Sequence, residues 1–276
     1  MKLTCGSRSL DLSQPVVMGV LNVTPDSFFD GGRYFSIDTA VAHAQAMVTE
    51  GAAIIDIGGE STRPGALPVS VEDECQRVVP VINALMLVGL DAVISIDTSK
   101  PEVMRQAVAA GASMINDVCA LQQPGAMEAA AESDAAICLM HMQGEPQKMQ
   151  DDPRYKNITE EIAVFLHQRV EACEQAGISR DRIALDPGFG FGKTVEQNYT
   201  LLRQLNVFIE QGLPVLVGLS RKSMIGAVLD VDVDQRLHGS LAAMTIAVMA
   251  GASIVRTHDV CATAEALAVC SAVMSA

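Results

Sequence analysis

Apolar positions along the chain fall into a repeating unit: an Ala-rich amphipathic run, a Gly, then four to six β-prone apolar residues. The unit recurs at Gly51-Ala-Ala-Ile-Ile-Asp-Ile57, Gly89-Leu-Asp-Ala-Val-Ile-Ser-Ile96 and Gly111-Ala-Ser-Met-Ile-Asn116. It returns after Gly177, at Gly212-Leu-Pro-Val-Leu-Val-Gly218 and at Gly251-Ala-Ser-Ile-Val-Arg256. A Gly just past a helix takes the left-handed conformation that lets the chain turn into a strand. The 66-residue gap between Gly111 and Gly177 holds two units with one Gly missing, ahead of the strand-like Ala135-Ala-Ile-Cys-Leu-Met140. With Val16–Leu21 as the first, eight β-runs begin near residues 16, 53, 93, 113, 136, 182, 214 and 253. Eight alternating βα units without a linker predict an α/β chain folded as a single (β/α)8 TIM barrel over residues 1–276. A doubly wound open sheet is the alternative.

Composition fits this pattern. Hydrophobic residues make up 49% of the 276 positions, aromatic residues 4%, and there is no Trp, so the core must be built mainly from Ala, Val, Ile, Leu and Met. Such residues suit helices packed on a parallel sheet. A net charge of −14 argues against nucleic acid or an anionic membrane as partner. The seven cysteines show no metal-ligand spacing and are expected to be buried free thiols in a reducing cytoplasm. The long apolar stretches Val79–Ile96 and Leu241–Val255 contain Asn83, Gly89 and Asp91 in one case and Gly251 in the other. They read as helix ends running into strands, not as membrane spans, and no signal peptide is expected behind Lys2.

In a barrel, catalytic groups collect at the C-terminal ends of the strands. The predicted ends carry Asn22, Asp56, Asp97, Asn116-Asp117, Met140-His141, Asp186, Gly218-Leu-Ser-Arg-Lys222 and Arg256-Thr-His258. The opposite ends carry mostly Gly, Ala and Ser. A single strand-end carboxylate is equally accounted for by a capped turn. Asp56, Asp97, Asn116 and Asp186 together call for a ligand edge rich in N–H donors. Lys222, Arg256 and His258 fall after strands seven and eight, where barrels commonly hold phosphate. The run Pro187-Gly-Phe-Gly-Phe-Gly-Lys193 has only three residues between Gly188 and Gly192, so it is not a nucleotide P-loop. Its glycines instead let backbone and Phe rings approach a flat ligand.

Five segments carry a family resemblance: Asn22-Val-Thr-Pro-Asp-Ser-Phe28, Asp56-Ile-Gly-Gly-Glu-Ser-Thr-Arg-Pro-Gly65, Asp97-Thr-Ser-Lys-Pro101, Leu185-Asp-Pro-Gly-Phe-Gly-Phe-Gly-Lys193 and Ser220-Arg-Lys-Ser223. In this order, from about Leu10 onward, the chain resembles the dihydropteroate synthases of folate biosynthesis. The resemblance implies condensation of (7,8-dihydropterin-6-yl)methyl diphosphate with p-aminobenzoate, Mg2+ on the diphosphate, and a homodimer sensitive to sulfonamides. It implies a pterin subsite of Asp97, Asn116, Met140, Asp186, Phe191, Gly218, Lys222 and Arg256. Asn22, Arg63, Arg256 and His258 would surround the diphosphate, with Asn22 nearest the metal. Phe28, Thr62, Arg63, Pro64, Phe191, Lys222 and Ser223 would form the p-aminobenzoate subsite. Asp30 would stabilise a cationic intermediate, and catalysis would fall to Asp30, Arg63, Lys222 and Arg256. One departure is Phe29, where the family usually has a Ser; a second ring there would either weaken sulfonamide binding more than substrate binding or simply point to solvent from its loop. The rival readings are a methyltetrahydrofolate-using methyltransferase-like barrel and a catalytically idle pterin-binding paralogue.

Overall fold

The structure, a computed structural model, describes residues 1–24, 37–61, 67–144, 149 and 153–276. It opens with an antiparallel hairpin, β1 (Lys2–Cys5) and β2 (Arg8–Asp11), turned at Gly6. Eight parallel strands follow: β3 (Val16–Asn22), β4 (Ala52–Gly58), β5 (Val93–Asp97), β6 (Met114–Asp117), β7 (Ala136–Met140), β8 (Ile183–Asp186), β9 (Leu216–Gly218) and β10 (Ile254–Thr257). They run in the order β8-β7-β6-β5-β4-β3-β10-β9, and a bridge between Leu185 and Val215 closes the ring. The expected TIM barrel is what forms, with every predicted β-run a strand.

Helices α1 (Ile37–Thr49), α2 (Val71–Leu87), α3 (Pro101–Ala110), α4 (Ala126–Ala131) and α5 (Ile158–Gln175) follow the first five barrel strands in turn. The remaining connections carry α6 (Val195–Arg203), α7 (Asn206–Ile209), α8 (Ser223–Leu229) and α9 (Leu237–Met249), with α10 (Val260–Met274) last. The six helix-ending glycines of the repeat all take positive φ, from +64° at Gly89 to +121° at Gly111. Where the repeat lacks its Gly, Ser133 makes the turn. Its Oγ donates to Ala130 O at 2.9 Å, and the buried Arg182 ties down the carbonyls of Ala130 and Ala135. The two long apolar stretches divide as expected, α2 into β5 and α9 into β10, and no helix among the described residues is long and apolar enough to cross a membrane.

Two apolar layers result. Between sheet and helices lies the larger one, which includes Leu21, Ile55, Ile57, Ile82, Ile96, Leu139, Leu185 and Phe208. Inside the barrel, Met18, Ile54, Val93, Met114, Ala136, Ala184, Leu216 and Ile254 pack on Leu3, Cys5 and Leu12. The hairpin therefore plugs the N-terminal end of the barrel, a role that two four-residue strands gave no pattern to predict. All seven cysteines are free; five are buried as expected, Cys119 is half-buried and Cys261 is exposed.

Candidate active site

Strand register builds the site. Side chains alternate across a strand, so the inward set that is apolar at the bottom becomes polar at the top. Asn22 pairs with Gly58, Gly58 with Asp97, and Asp97 with Asn116, which lays three polar residues in one row across four strands. Gly58 keeps the row open: a Cβ there would sit 3.7 Å from both Asn22 Oδ1 and Asp97 Cβ. One rung lower, Asp56 pairs with Ser95. Met140 and Asp186 are register partners on the far side, and Arg256 pairs with Gly218.

Asp56 lies inside β4 and Arg256 inside β10, where the sequence reading had placed both past their strand ends. Facing inward at the last turns of their strands, they meet across the barrel. Asp56 Oδ2 accepts from Arg256 Nε at 2.6 Å and from Asn116 Nδ2 at 3.1 Å, while Arg256 Nη2 donates to Asp97 Oδ2 at 2.8 Å. Asp56 is fully buried, and its Oδ1 has no hydrogen-bond partner among the described residues. Burial drives the Asp97 carboxyl up to about 7, with Arg256 opposing and Asp56 reinforcing the shift.

Asp186 is also buried and its pKa raised by desolvation, against the pull of the Gly188 N–H, which donates to Oδ1 at 2.7 Å, and of Lys222. Lys222, at the start of α8, sits 4.3 Å above the centre of the Phe191 ring and donates to Phe189 O. Burial lowers its pKa to about 8, partly offset by Asp186. Asp97 and Asp186 with Lys222 and Arg256 thus gather carboxylates and cations at one end of the barrel, a set able to meet both N–H donors and negative charge.

The last two loops lean on each other. Arg221 Nε and Nη2 grip Asp259 in a two-pronged pair at 2.9 and 2.5 Å, and Ser220 Oγ lies 3.1 Å from His258 Nδ1. His258 is exposed at the rim, as is Ser223 on α8. Outside the cleft, Lys100 bridges Glu60 at 2.6 Å and the buried Glu74 at 2.5 Å. Glu60 also accepts from Val69 N at 2.9 Å, and Arg77 donates to Gly59 O at 2.8 Å.

A model of the pterin-binding enzymes matches residues 18–258 of the chain. Over its whole length the chain is 54% identical to dihydropteroate synthase of Escherichia coli K12, covering 98% of that protein. Its fold superposes on a Yersinia pestis dihydropteroate synthase in complex with a sulfonamide drug, with TM-score 0.95, 51% identity and both chains fully covered. A Xanthomonas albilineans dihydropteroate synthase with 4-aminobenzoic acid gives TM-score 0.94 at 50% identity, covering 100% of this chain and 98% of that one. The chain belongs to the dihydropteroate synthase family.

Of the residues that the family resemblance singles out, the structure brings Asn22, Asp97, Asn116, Met140, Asp186, Phe191, Gly218, Lys222 and Arg256 to one barrel mouth, with His258 and Ser223 at its rim. Phe28, Phe29, Asp30, Thr62, Arg63 and Pro64 lie outside the described residues. Sequence reasoning assigned Asp56 no role of its own beyond joining the strand-end acceptors. The signal was there, a carboxylate embedded in the apolar run of β4. It also passed over Lys193, whose Nζ is enclosed by Gly188 O, Phe191 O and His141.

Proposed function

We propose that the chain is a dihydropteroate synthase, joining (7,8-dihydropterin-6-yl)methyl diphosphate to p-aminobenzoate with release of diphosphate. The observation that carries this reading is the inward row Asp97–Asn116, with Asp186, facing Lys222 and Arg256 in one cleft. The amino-pyrimidine edge of a pterin offers adjacent N–H donors that match Asp97 and Asp186, with Asn116 able to donate and accept between them. Lys222 faces the polar edge of the ring, and the walls Met140, Phe191 and Gly218 leave a flat slot.

Arg256, oriented by Asp56, is placed to lay its guanidinium on the ring and to send an N–H toward the diphosphate. Asn22, Arg63 and His258 complete the diphosphate subsite in this reading. An aniline is a weak nucleophile, so the rate gains most from stabilising the leaving group. The methylene C–O bond breaks with its electron pair on diphosphate, the dihydropterin ring spreads the positive charge, and the amine nitrogen then forms the new C–N bond and loses a proton to solvent. In this dissociative path Asp30 stabilises the cation, and Phe28, Thr62, Arg63, Pro64, Phe191, Lys222 and Ser223 hold p-aminobenzoate, the subsite where sulfonamides would compete. Excluding water matters, because water would trap the cation.

Mg2+ fits this donor set in a limited way. Among the described residues no cluster of three or more His, Cys, Asp or Glu forms a metal cage, and Asn22 offers one amide oxygen. A cation that keeps most of its waters and binds through substrate phosphates suits that arrangement, with Asn22 as its protein ligand. When bound it supplies charge neutralisation on the diphosphate.

A homodimer is supported by exposed Ile246 and Met249 on α9 and Val269 and Val273 on α10, an apolar face on two neighbouring outer helices. Seven free thiols favour a reducing, cytoplasmic setting. The test of the activity is diphosphate release from the dihydropterin diphosphate with Mg2+, with and without p-aminobenzoate. Formation of dihydropteroate only when p-aminobenzoate is present is the expected result. Tight pterin binding with no product at any p-aminobenzoate concentration would overturn the reading in favour of an idle binding protein.

A further inference from the structure

Lys193 is a buried amine that the mechanism above leaves unused; burial lowers its pKa to about 7, with Asp186 opposing the shift, so its ammonium form persists up to that pH. It is 3% exposed, and its Nζ lies 2.7 Å from Gly188 O, 2.8 Å from Phe191 O, 3.3 Å from His141 O and 3.2 Å from His141 Nδ1. An ammonium has three protons and no lone pair, so these acceptors saturate it. None of them is a carboxylate. A buried cation without a bonded counter-ion keeps its place only through such hydrogen bonds. Burial holds the His141 imidazole far below its ordinary range, at about 3, and Lys193 adds to the effect, so the ring is neutral and offers Nδ1 as an acceptor.

The loop after β8 is coiled around this ammonium. Gly188, Gly190 and Gly192 take φ of +72°, +79° and +63°. A Cβ at Gly188 would stand 1.9 Å from His141 O, and one at Gly192 2.4 Å from Gln143 O. Only glycine meets both demands, and the resulting turn brings the 188 and 191 carbonyls together on Nζ. The alternation Gly-Phe-Gly-Phe-Gly-Lys thus encodes a loop together with the charge that organises it.

Two parts of this loop reach into the cleft. The Gly188 N–H holds Asp186 Oδ1 at 2.7 Å. The Phe191 ring lies under Lys222, whose Nζ also donates to Phe189 O. We propose that Lys193 is a positioning residue for the flat-ring subsite: by tying the carbonyls of Gly188 and Phe191 to the end of β7 at His141, it fixes the loop that aims Asp186 and Lys222. This rests on the pterin subsite proposed above.

The test is a pair of binding titrations that need no turnover, on the full-length parent and Lys193→Met, using a 6-substituted pterin without diphosphate and, separately, Mg2+-diphosphate. Loss of the ammonium is expected to weaken pterin binding by about tenfold or more, while diphosphate binding stays within about twofold because Asn22, Arg256 and His258 are carried by β3 and β10 and their following loops, not by the loop after β8. Deuterium exchange is expected to accelerate in 187–192 and not in the barrel strands. Lys193→Gln, which retains an N–H pair, is the variant to use if Lys193→Met fails to fold; its loss should be intermediate. Pterin affinity within about twofold of the parent in either folded variant, or equal loss for both ligands, overturns the proposal. A parent that binds no pterin overturns instead the reading of the preceding subsection.

Discussion

Arg256 Nε and Asp56 Oδ2 lie 2.6 Å apart, the carboxylate fully buried and the guanidinium reaching up to the mouth with its side chain 23% exposed. Asp56 is thus the foot of a post whose head is the cleft's principal cation. Breaking one side of a buried pair costs far more than the pair contributes, because the remaining charge is left without compensation.

Asp56→Asn keeps an acceptor for Asn116 but removes the charge opposite Arg256. Turnover is expected to fall by about tenfold or more, with a loss of roughly 3 kcal/mol or more of stability. Steady-state kinetics beside urea unfolding check this. Unchanged kcat and midpoint would mean that Asp97 alone orients the arginine.

Arg256→Ala should cut turnover by about a hundredfold or more, since it removes a fixed charge aimed at the leaving group. Arg256→Lys is expected to recover little of this, because an ammonium cannot bond Asp56 and Asp97 while presenting a flat face. Turnover of Arg256→Ala within twofold of the parent would remove Arg256 from the mechanism.

Asp97 gives the cleft a pH dependence. Its carboxyl titrates near 7 in the folded chain, driven up mainly by burial, against an ordinary value near 4. Between those values the folded state binds more protons than the unfolded state, so this group's contribution to stability falls as pH rises through the window. Pterin binding should run the other way, strengthening as pH rises through about 7 and the carboxylate becomes the better acceptor. Titrations across that range in parent and Asp97→Asn check it, and a slope that persists in Asp97→Asn would assign the titration elsewhere.

Lys100→Met leaves Glu74 buried without its partner and removes the charged one of the two bonds to Glu60 described above. A loss of about 3–5 kcal/mol is expected, and adding Glu74→Gln should restore part of it, which a double-mutant cycle measures. Strict additivity of the two substitutions would show that the pair does not interact.

Much of the barrel was legible because each turn of the repeat has a local cause. A helix-ending Gly and a short apolar run are readable within ten residues, and six such glycines mark six of the eight units. The unit without Gly depends on Arg182, some fifty residues away in sequence, and long-range side-chain bonds leave no local trace. The hairpin was missed because its strands are too short for a period and its partners, Met18 to Ile254, are scattered over the chain. The carboxylates of the cleft were visible as polar residues closing apolar runs. Which of them faces a ligand and which faces Arg256 was not, since that depends on strand register. Lys193 was visible only as part of a motif that failed as a P-loop, and the distances that give it a role appear only once the loop is coiled.

The N-terminal hairpin bears on the proposed reaction as well as on the fold. With Leu3, Cys5 and Leu12 packed against the inner apolar layer, the N-terminal end of the barrel is closed, and among the described residues the polar row is reached from the opposite mouth. Two reactants that stack in a shaft must arrive in order of depth. With the subsites proposed above, a flat ring aligned with Asp97 and Asp186 would enter before an amine lying above it, and the joined product would leave by the same route. On that reading the order of addition would owe something to the chain's first twelve residues, which close the far end of the barrel.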